Sequence, residues 1–265
     1  MSKRALTLED PIRRIRRLLG RSARIPPSLP SGDVLPRVEA ARVFWSERAW
    51  SELAAIPALA RTSLALIRER GTLDTLDAVA LIQSDEVRHA ELSIALADGF
   101  GGFVAEVPAD SGFDPSAAAS GPDDELVFWV LAIGCLSETI SLELMRTRLL
   151  FTTHPVVKAV LGRIAKDEAI HARLGWSLAE RLFPRAESGT REALGDYAED
   201  MLGILGRTFV THGMAPSLRR ATRRRRTQVT DLGLGAAPPS LEDEVFWKIR
   251  DEVIRPRLAR LGVPI

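Results

Sequence analysis

The hexapeptide Asp85-Glu86-Val87-Arg88-His89-Ala90 returns as Asp167-Glu168-Ala169-Ile170-His171-Ala172. Residues three apart share a helix face, so each copy points a carboxylate and an imidazole the same way. The two motif glutamates lie 82 positions apart, and each has another Glu one helix upstream: Glu52 at 34 residues before Glu86, and Glu138 at 30 before Glu168. Two similar helix pairs related by an approximate two-fold would gather a Glu and a Glu-x-x-His from each half around one centre. That is the inward-pointing donor set of a di-iron or di-manganese carboxylate bundle. The candidate metal ligands are therefore Glu52, Glu86, His89, Glu138, Glu168 and His171.

Two upstream choices need an argument. Glu47 lies five residues before Glu52, about 140° away around a helix, so only one can face inward. Glu52 shares its face with Ala55, Ile56 and Leu59, which suits burial, whereas Glu47 sits beside Ser46 and Arg48 and suits solvent. Glu138 is preferred over Glu143 because Leu131, Cys135, Leu142 and Met145 line its face, while Arg146 and Arg148 follow Glu143. A metal-bound His donates its other ring proton to a carboxylate or carbonyl. Asp85 and Asp167 are thus expected to orient the His of the opposite motif, the alternative being surface aspartates paired with a nearby Arg. Four carboxylates need two divalent cations to be tolerated in a core. Imidazole with an oxygen-rich remainder suits iron or manganese. The expected cofactor is two iron ions, with Mn or a mixed Fe/Mn pair fitting the same donors.

The pattern along the chain predicts an all-α protein. Residues 1–36 form a basic, Pro-rich arm, mobile or draped on the surface, with a short helix at 11–20. Helices follow at about 38–70, 73–98, 123–150 and 155–183, with a long Gly/Ala/Pro/Ser-rich crossover at 100–122 between the second and third. The first domain boundary falls at 36/37 and the bundle ends near 185. Residues 186–265 are a helical extension packed on it, with Ser240-Leu241-Glu242-Asp243 as a capping start for its last helix. Pro57, inside the first bundle helix, is expected to bend it and open an apolar pocket lined by Ile56, Leu59, Leu142 and Met145. Trp45, Trp50, Trp129 and Trp176 are read as packing residues, and His154 and His212 as caps or surface residues.

Composition narrows the classes. A net charge of +1 gives no global attraction to nucleic acid, although residues 1–24 carry eight Arg and Lys and 219–226 carry six Arg. The single Cys135 excludes an internal disulfide framework, a zinc ribbon and a four-cysteine iron site. No signal peptide and no apolar run of membrane-spanning length are read, so no membrane is expected and the cytoplasm is the expected location.

With Gly134-Cys135-Leu136-Ser137-Glu138-Thr139 added to the two Asp-Glu-x-x-His-Ala motifs, the chain over about 38–185 resembles the ferritin-like di-iron carboxylate superfamily, in particular its stand-alone bacterial proteins. The resemblance implies a four-helix bundle with the long crossover between helices 2 and 3, and activation of O2 by a reduced metal pair. Ribonucleotide reductase small subunits differ, carrying a Tyr where this chain has Ser93; the only Tyr is Tyr197. Multicomponent monooxygenases carry a Thr where this chain has Leu142. Rubrerythrins append a four-cysteine domain that is missing here, and cage ferritins have much shorter subunits.

The expected function is a dimetal oxidase or monooxygenase acting on a small-molecule or peptide-borne substrate, with O2 and an external electron donor or reductase as partners. A homodimer is compatible with this reading. The alternatives are a ferroxidase-like iron-binding protein and, with less support, an RNA (tRNA) hydroxylase whose Arg219–Arg226 run contacts phosphate. A basic run without interleaved aromatics is more often a solvated or partner-docking face.

Overall fold

The structure, a computed structural model, describes residues 11–20, 35–104, 119 and 124–265. Among them every regular element is helical. In chain order they are α1 (Pro11–Gly20), α2 (Glu39–Arg68), α3 (Leu73–Phe100), α4 (Glu125–Phe151), α5 (Pro155–Leu182), α6 (Ser188–Phe209), α7 (Pro216–Asp231) and α8, which starts as Pro239–Ile249 and continues through Arg250–Ile254 into Arg255–Arg260. Most of the expected crossover (105–118 and 120–123) and of the N-terminal arm (1–10 and 21–34) lies outside the described residues. Within the arm, α1 forms where a short helix is expected. It docks on α3 and α5, with Ile15 and Leu18 buried and Arg14 3.7 Å from Asp98.

Helices α2 and α3 pack along each other as a hairpin, as do α4 and α5, and α3 meets α5. The α2–α3 turn is tight. Arg70 takes a left-handed φ of 52°, the Gly71 amide returns to Leu66 at 2.8 Å, and Thr72 caps α3 by accepting from the Thr75 amide at 3.3 Å. Helices α4 and α8 start without a side-chain cap, the second of them where the capping start at 240–243 was expected. Asp124 makes no side-chain cap on α4; its carboxylate accepts from Thr190 instead. The last helix starts at Pro239, whose missing amide hydrogen costs nothing at that position, and Glu242 turns into the core.

Helix α4 is apolar enough, with a mean hydropathy of 1.6, to meet the length and composition of a membrane span, and 83% of that window is buried inside the protein. No apolar run of that length was expected from the sequence. Its middle, Val130–Ser137, is wound as a π-helix. There Gly134 meets Gly175 of α5 backbone to backbone: a Cβ at Gly175 would lie 2.1 Å from the Gly134 carbonyl oxygen. Only glycine at both positions lets these two helices, which carry Glu138 and Glu168, approach so closely.

Helices α6–α8 pack on α4 and α2 and are tied in by one buried ion cluster. Glu242, fully buried, accepts from Arg148 Nε of α4 at 2.8 Å and from Arg226 of α7 at 3.1 Å. Arg226 also donates to the Phe209 carbonyl at 2.8 Å. Burial alone would raise the Glu242 pKa, but Arg148 and Arg226 outweigh it and hold the carboxyl below its ordinary value of 4.5. A lowered pKa means the cluster's contribution is complete above pH 4.5 and is lost as pH falls through the folded-state value.

Two stability predictions follow from these contacts. Glu242→Gln leaves two guanidinium groups buried around a neutral amide and should cost about 3–5 kcal/mol in urea unfolding. Gly175→Ala should cost about 1–3 kcal/mol despite alanine's better helix propensity, because backbone atoms must move apart.

Candidate metal centre

The six side chains singled out in the sequence meet in the interior. Each is at most 5% exposed. Donor atoms of Glu52, Glu86, His89 and Glu168 lie within 4.8 Å of one another, and so do those of Glu86, Glu138, Glu168 and His171. Glu86 and Glu168 belong to both groups, as bridging carboxylates would. Buried Glu and His groups in this arrangement could hold a metal ion. One residue comes from each of α2 and α4, and a Glu-x-x-His from each of α3 and α5, so the three-residue spacing aims both motif side chains at the centre.

The imidazoles are oriented crosswise. His89 Nε2 lies 3.1 Å from Asp167 Oδ2, and His171 Nε2 lies 3.3 Å from Asp85 Oδ2. The same aspartates also pair with arginines, Asp85 with Arg88 and Asp167 with Arg163 at 2.7 Å. The arginine pairs of the alternative reading are thus present, but both aspartates are buried and not on the surface. With Nε2 committed outward, Nδ1 of each ring faces the carboxylates: His89 Nδ1 is 3.4 Å from Glu86, and His171 Nδ1 is 3.2 Å from Glu86 and 3.4 Å from Glu138. Among the described residues, Nδ1 of both rings, Oε1 of Glu86 and Oε2 of Glu168 are buried without a hydrogen-bond partner. Buried polar atoms ordinarily have one. These are donor-type atoms pointing at a common space, and they fit a pair of cations.

The electrostatics say what occupies that role in protein alone. Burial pushes Glu52 well above the ordinary carboxylate range, Arg48 opposing and Glu86 adding to the rise. Burial and the neighbouring Glu138 do the same to Glu168. Burial would also raise Glu86, but His89 and His171 overcome it and hold it low. Burial opposes charging of His89, yet Glu86, Asp167 and Glu52 prevail and lift it to about 10. His171 is raised in the same way by Asp85, Glu138 and Glu86.

Arg48 and Ser141 were missed in the sequence. Arg48 is only 6% exposed. It pairs with Glu52 and, at 3.1 Å, with Glu168 Oε1, which also accepts from the Ser141 hydroxyl at 2.9 Å. The spacing held the clue, since Arg48 lies one turn before Glu52 on the same face; its charge had assigned it to solvent together with Ser46, which is buried too. Glu47 is exposed, as expected, and pairs with Arg225.

The expected pocket must be corrected. The large cleft, about 710 Å³, is lined on α2 by Phe44, Glu47, Arg48, Ser51, Ala54 and Ala55. None of Ile56, Leu59, Leu142 and Met145 lines it. Those cleft residues recur at helical spacing on a face turned away from Ile56, and Leu59 borders a separate cavity of about 30 Å³ beside Glu138. Met145 is fully buried in the core, Leu142 is buried, and Pro57 leaves α2 continuous. Trp45, Trp129 and Trp176 are packed inside as expected, whereas Trp50 is half-buried at the cleft. His154 precedes α5 without a side-chain cap, and His212 is exposed with its ring against Trp247. Burial pushes the Cys135 thiol up, so it stays protonated.

No protein-family model matches the chain, and no curated protein matches it.

Because His89 and His171 are both raised far enough to hold protons near neutrality, metal binding must expel them. Loading of divalent metal should therefore release protons and tighten as pH rises from 6 to 8, read by calorimetry in buffers of different ionisation enthalpy. Asp167→Asn should weaken metal binding by about 10–100-fold while leaving the helical circular dichroism unchanged.

Proposed function

We propose that this chain is a ferritin-like dimetal carboxylate oxidase or monooxygenase, holding two iron ions and using O2 to oxidise a small-molecule or peptide-borne substrate. The observation that carries this reading is the convergence of four Glu and two His on one buried space, with Glu86 Oε1, Glu168 Oε2 and both His Nδ1 atoms lacking a hydrogen-bond partner among the described residues. Two helix hairpins, α2–α3 and α4–α5, joined through residues 101–124, agree with the ferritin-like topology. Glu52, Glu86, His89 and Glu168 would hold one ion, and Glu86, Glu138, Glu168 and His171 the other. When bound and reduced, such a pair supplies the electrons and the open coordination positions for O2 chemistry. Manganese fits the same donors.

The chain's own residues define how such a centre would be kept. Asp167 and Asp85 accept the outward imidazole protons of His89 and His171, so that each Nδ1, once its own proton is expelled, would turn a lone pair inward. Arg48 and the Ser141 hydroxyl restrain Glu168 Oε1, leaving Oε2 toward the centre. The buried wall of α3 and α5 excludes water from one side. On the other side, Arg48 and Ser137 border the large cleft, which gives an organic molecule a place to sit. That cleft favours oxidation of an organic substrate over iron handling alone. The RNA reading draws less support, because Arg219 and Arg223 pair with Asp243, Arg225 with Glu47 and Arg226 with Glu242.

Purified protein should contain about two iron or manganese ions per chain, and Glu168→Ala should lose both. Anaerobic reduction followed by O2 exposure should consume O2 in proportion to metal. A wild-type chain that binds no metal overturns the proposal. Uptake of many irons per chain by a multi-subunit shell would replace it with the iron-handling reading.

A further inference from the structure

The same cleft that borders Arg48 carries an imbalance of charge. Its walls include Arg48, Arg148, Arg225 and Arg226, and among the described lining residues the only carboxylate is Glu47. Glu47 pairs with Arg225. Arg148 and Arg226 share the single carboxylate of Glu242. Arg48 pairs with Glu52 and Glu168, but those two belong to the set of four glutamates that two divalent cations would neutralise. On the reading above, a loaded centre leaves the charge of Arg48 uncompensated at the cleft. The cluster formed by Arg148, Arg226 and Glu242 adds another net positive charge.

These cations are close and mostly desolvated. Arg48, Arg148 and Arg226 are each no more than 6% exposed. The Nε atoms of Arg48 and Arg226 are buried without a hydrogen-bond partner among the described residues. Burial, with the like charges of Arg226 and Arg48, holds the Arg148 guanidinium below its ordinary pKa. Excess positive charge in such a place is costly unless an anion answers it. The rest of the wall is apolar: Ala54 and Ala55 on α2, Ile133 on α4, Leu205 and Phe209 on α6, Leu218 on α7. Apolar walls with a few convergent polar groups are the ordinary form of a small-molecule site.

We propose that the cleft binds an amphipathic carboxylate, its apolar body against α2, α4 and α6 and its carboxylate among the arginines led by Arg48. This rests on the dimetal reading, and it names the substrate class of that site. Arg48 then has two faces. One restrains Glu52 and Glu168, and the other receives the carboxylate, so metal loading and ligand binding are thermodynamically linked. In protein without metal, Glu52 and Glu168 answer Arg48 themselves and the attraction falls.

Calorimetric titration with decanoate and with neutral decanamide tests this, using full-length protein of measured metal content, loaded with Mn(II) or stripped. Decanoate should bind the loaded protein about tenfold or more tighter than decanamide, as a charge-assisted hydrogen bond implies, and the ratio should shrink in stripped protein. Arg48→Gln should bring the ratio near one. Should Arg48→Gln fail to load metal, Arg225→Gln, which alters a half-exposed side chain away from the six ligands, should lower decanoate affinity with metal content unchanged. Ala54→Trp should abolish binding of both probes while retaining metal. Equal affinity of the two probes for loaded wild-type protein, or decanoate binding that survives Ala54→Trp, overturns this inference alone. A carboxylate preference that persists in loaded Arg48→Gln and Arg225→Gln places the carboxylate on the metal and overturns the arginine seat. Failure of the wild-type protein to take up metal overturns the dimetal reading with it.

Discussion

Four glutamate carboxylates share one buried space, and everything around them answers the cost of putting them there. Isolated charges in a protein interior cost several kcal/mol each even after relaxation. The chain distributes counter-charge in layers. Two imidazoles lie among the carboxylates, Arg48 closes one side, and the outer aspartates that hold the imidazoles are themselves answered by Arg88 and Arg163. Every layer is carried on a helix long enough to anchor its ends in a separate apolar cluster, one around Trp129 and Phe128 and the other around Trp45 and Leu96. The charged centre thus sits between two greasy blocks that resist its opening.

The two halves of the centre are alike but not equivalent. The position one turn before Glu52 is Arg48, and the position one turn before Glu138 is Gly134. On the α2 side this brings a guanidinium to the centre and a cleft behind it. On the α4 side it removes a side chain altogether, so that α5 can come to backbone contact. Near-symmetry places the donors; its breaking gives the site a closed side and an approachable one.

Much of this was legible in the sequence because it is local. The helix spans follow from periodicity, Gly and Pro, and the convergence of six side chains follows from two matching motifs with an upstream Glu each. The crosswise His–Asp pairs were legible from the position of the aspartates in the motif. What escaped were features that depend on distant partners. Arg48 read as solvent-facing and Glu242 as part of a helix cap, and their burial depends on partners distant in sequence, Glu168 of α5 for Arg48 and Arg148 of α4 with Arg226 of α7 for Glu242. The pocket was misplaced because Pro57 was taken as its cause, whereas the cleft lies between α2 and the walls supplied by α6 and α7. Gly134 gave no sign of its partner, since a backbone contact between positions 41 residues apart leaves no pattern in either helix.

The π-helical stretch Val130–Ser137 gives α4 a seam. Each residue there advances the chain around the axis by less than in an α-helix, so the half before the seam and the half after it keep different phases. A helix with such slack can gain or lose a residue in its middle and still close its ladder of backbone bonds. Ile133 and Ser137 lie within the seam and face the cleft, while Glu138 begins the half that follows. The seam therefore sets the phase at which α4 presents Ile133 and Ser137 to the cleft and Glu138 to the other donors.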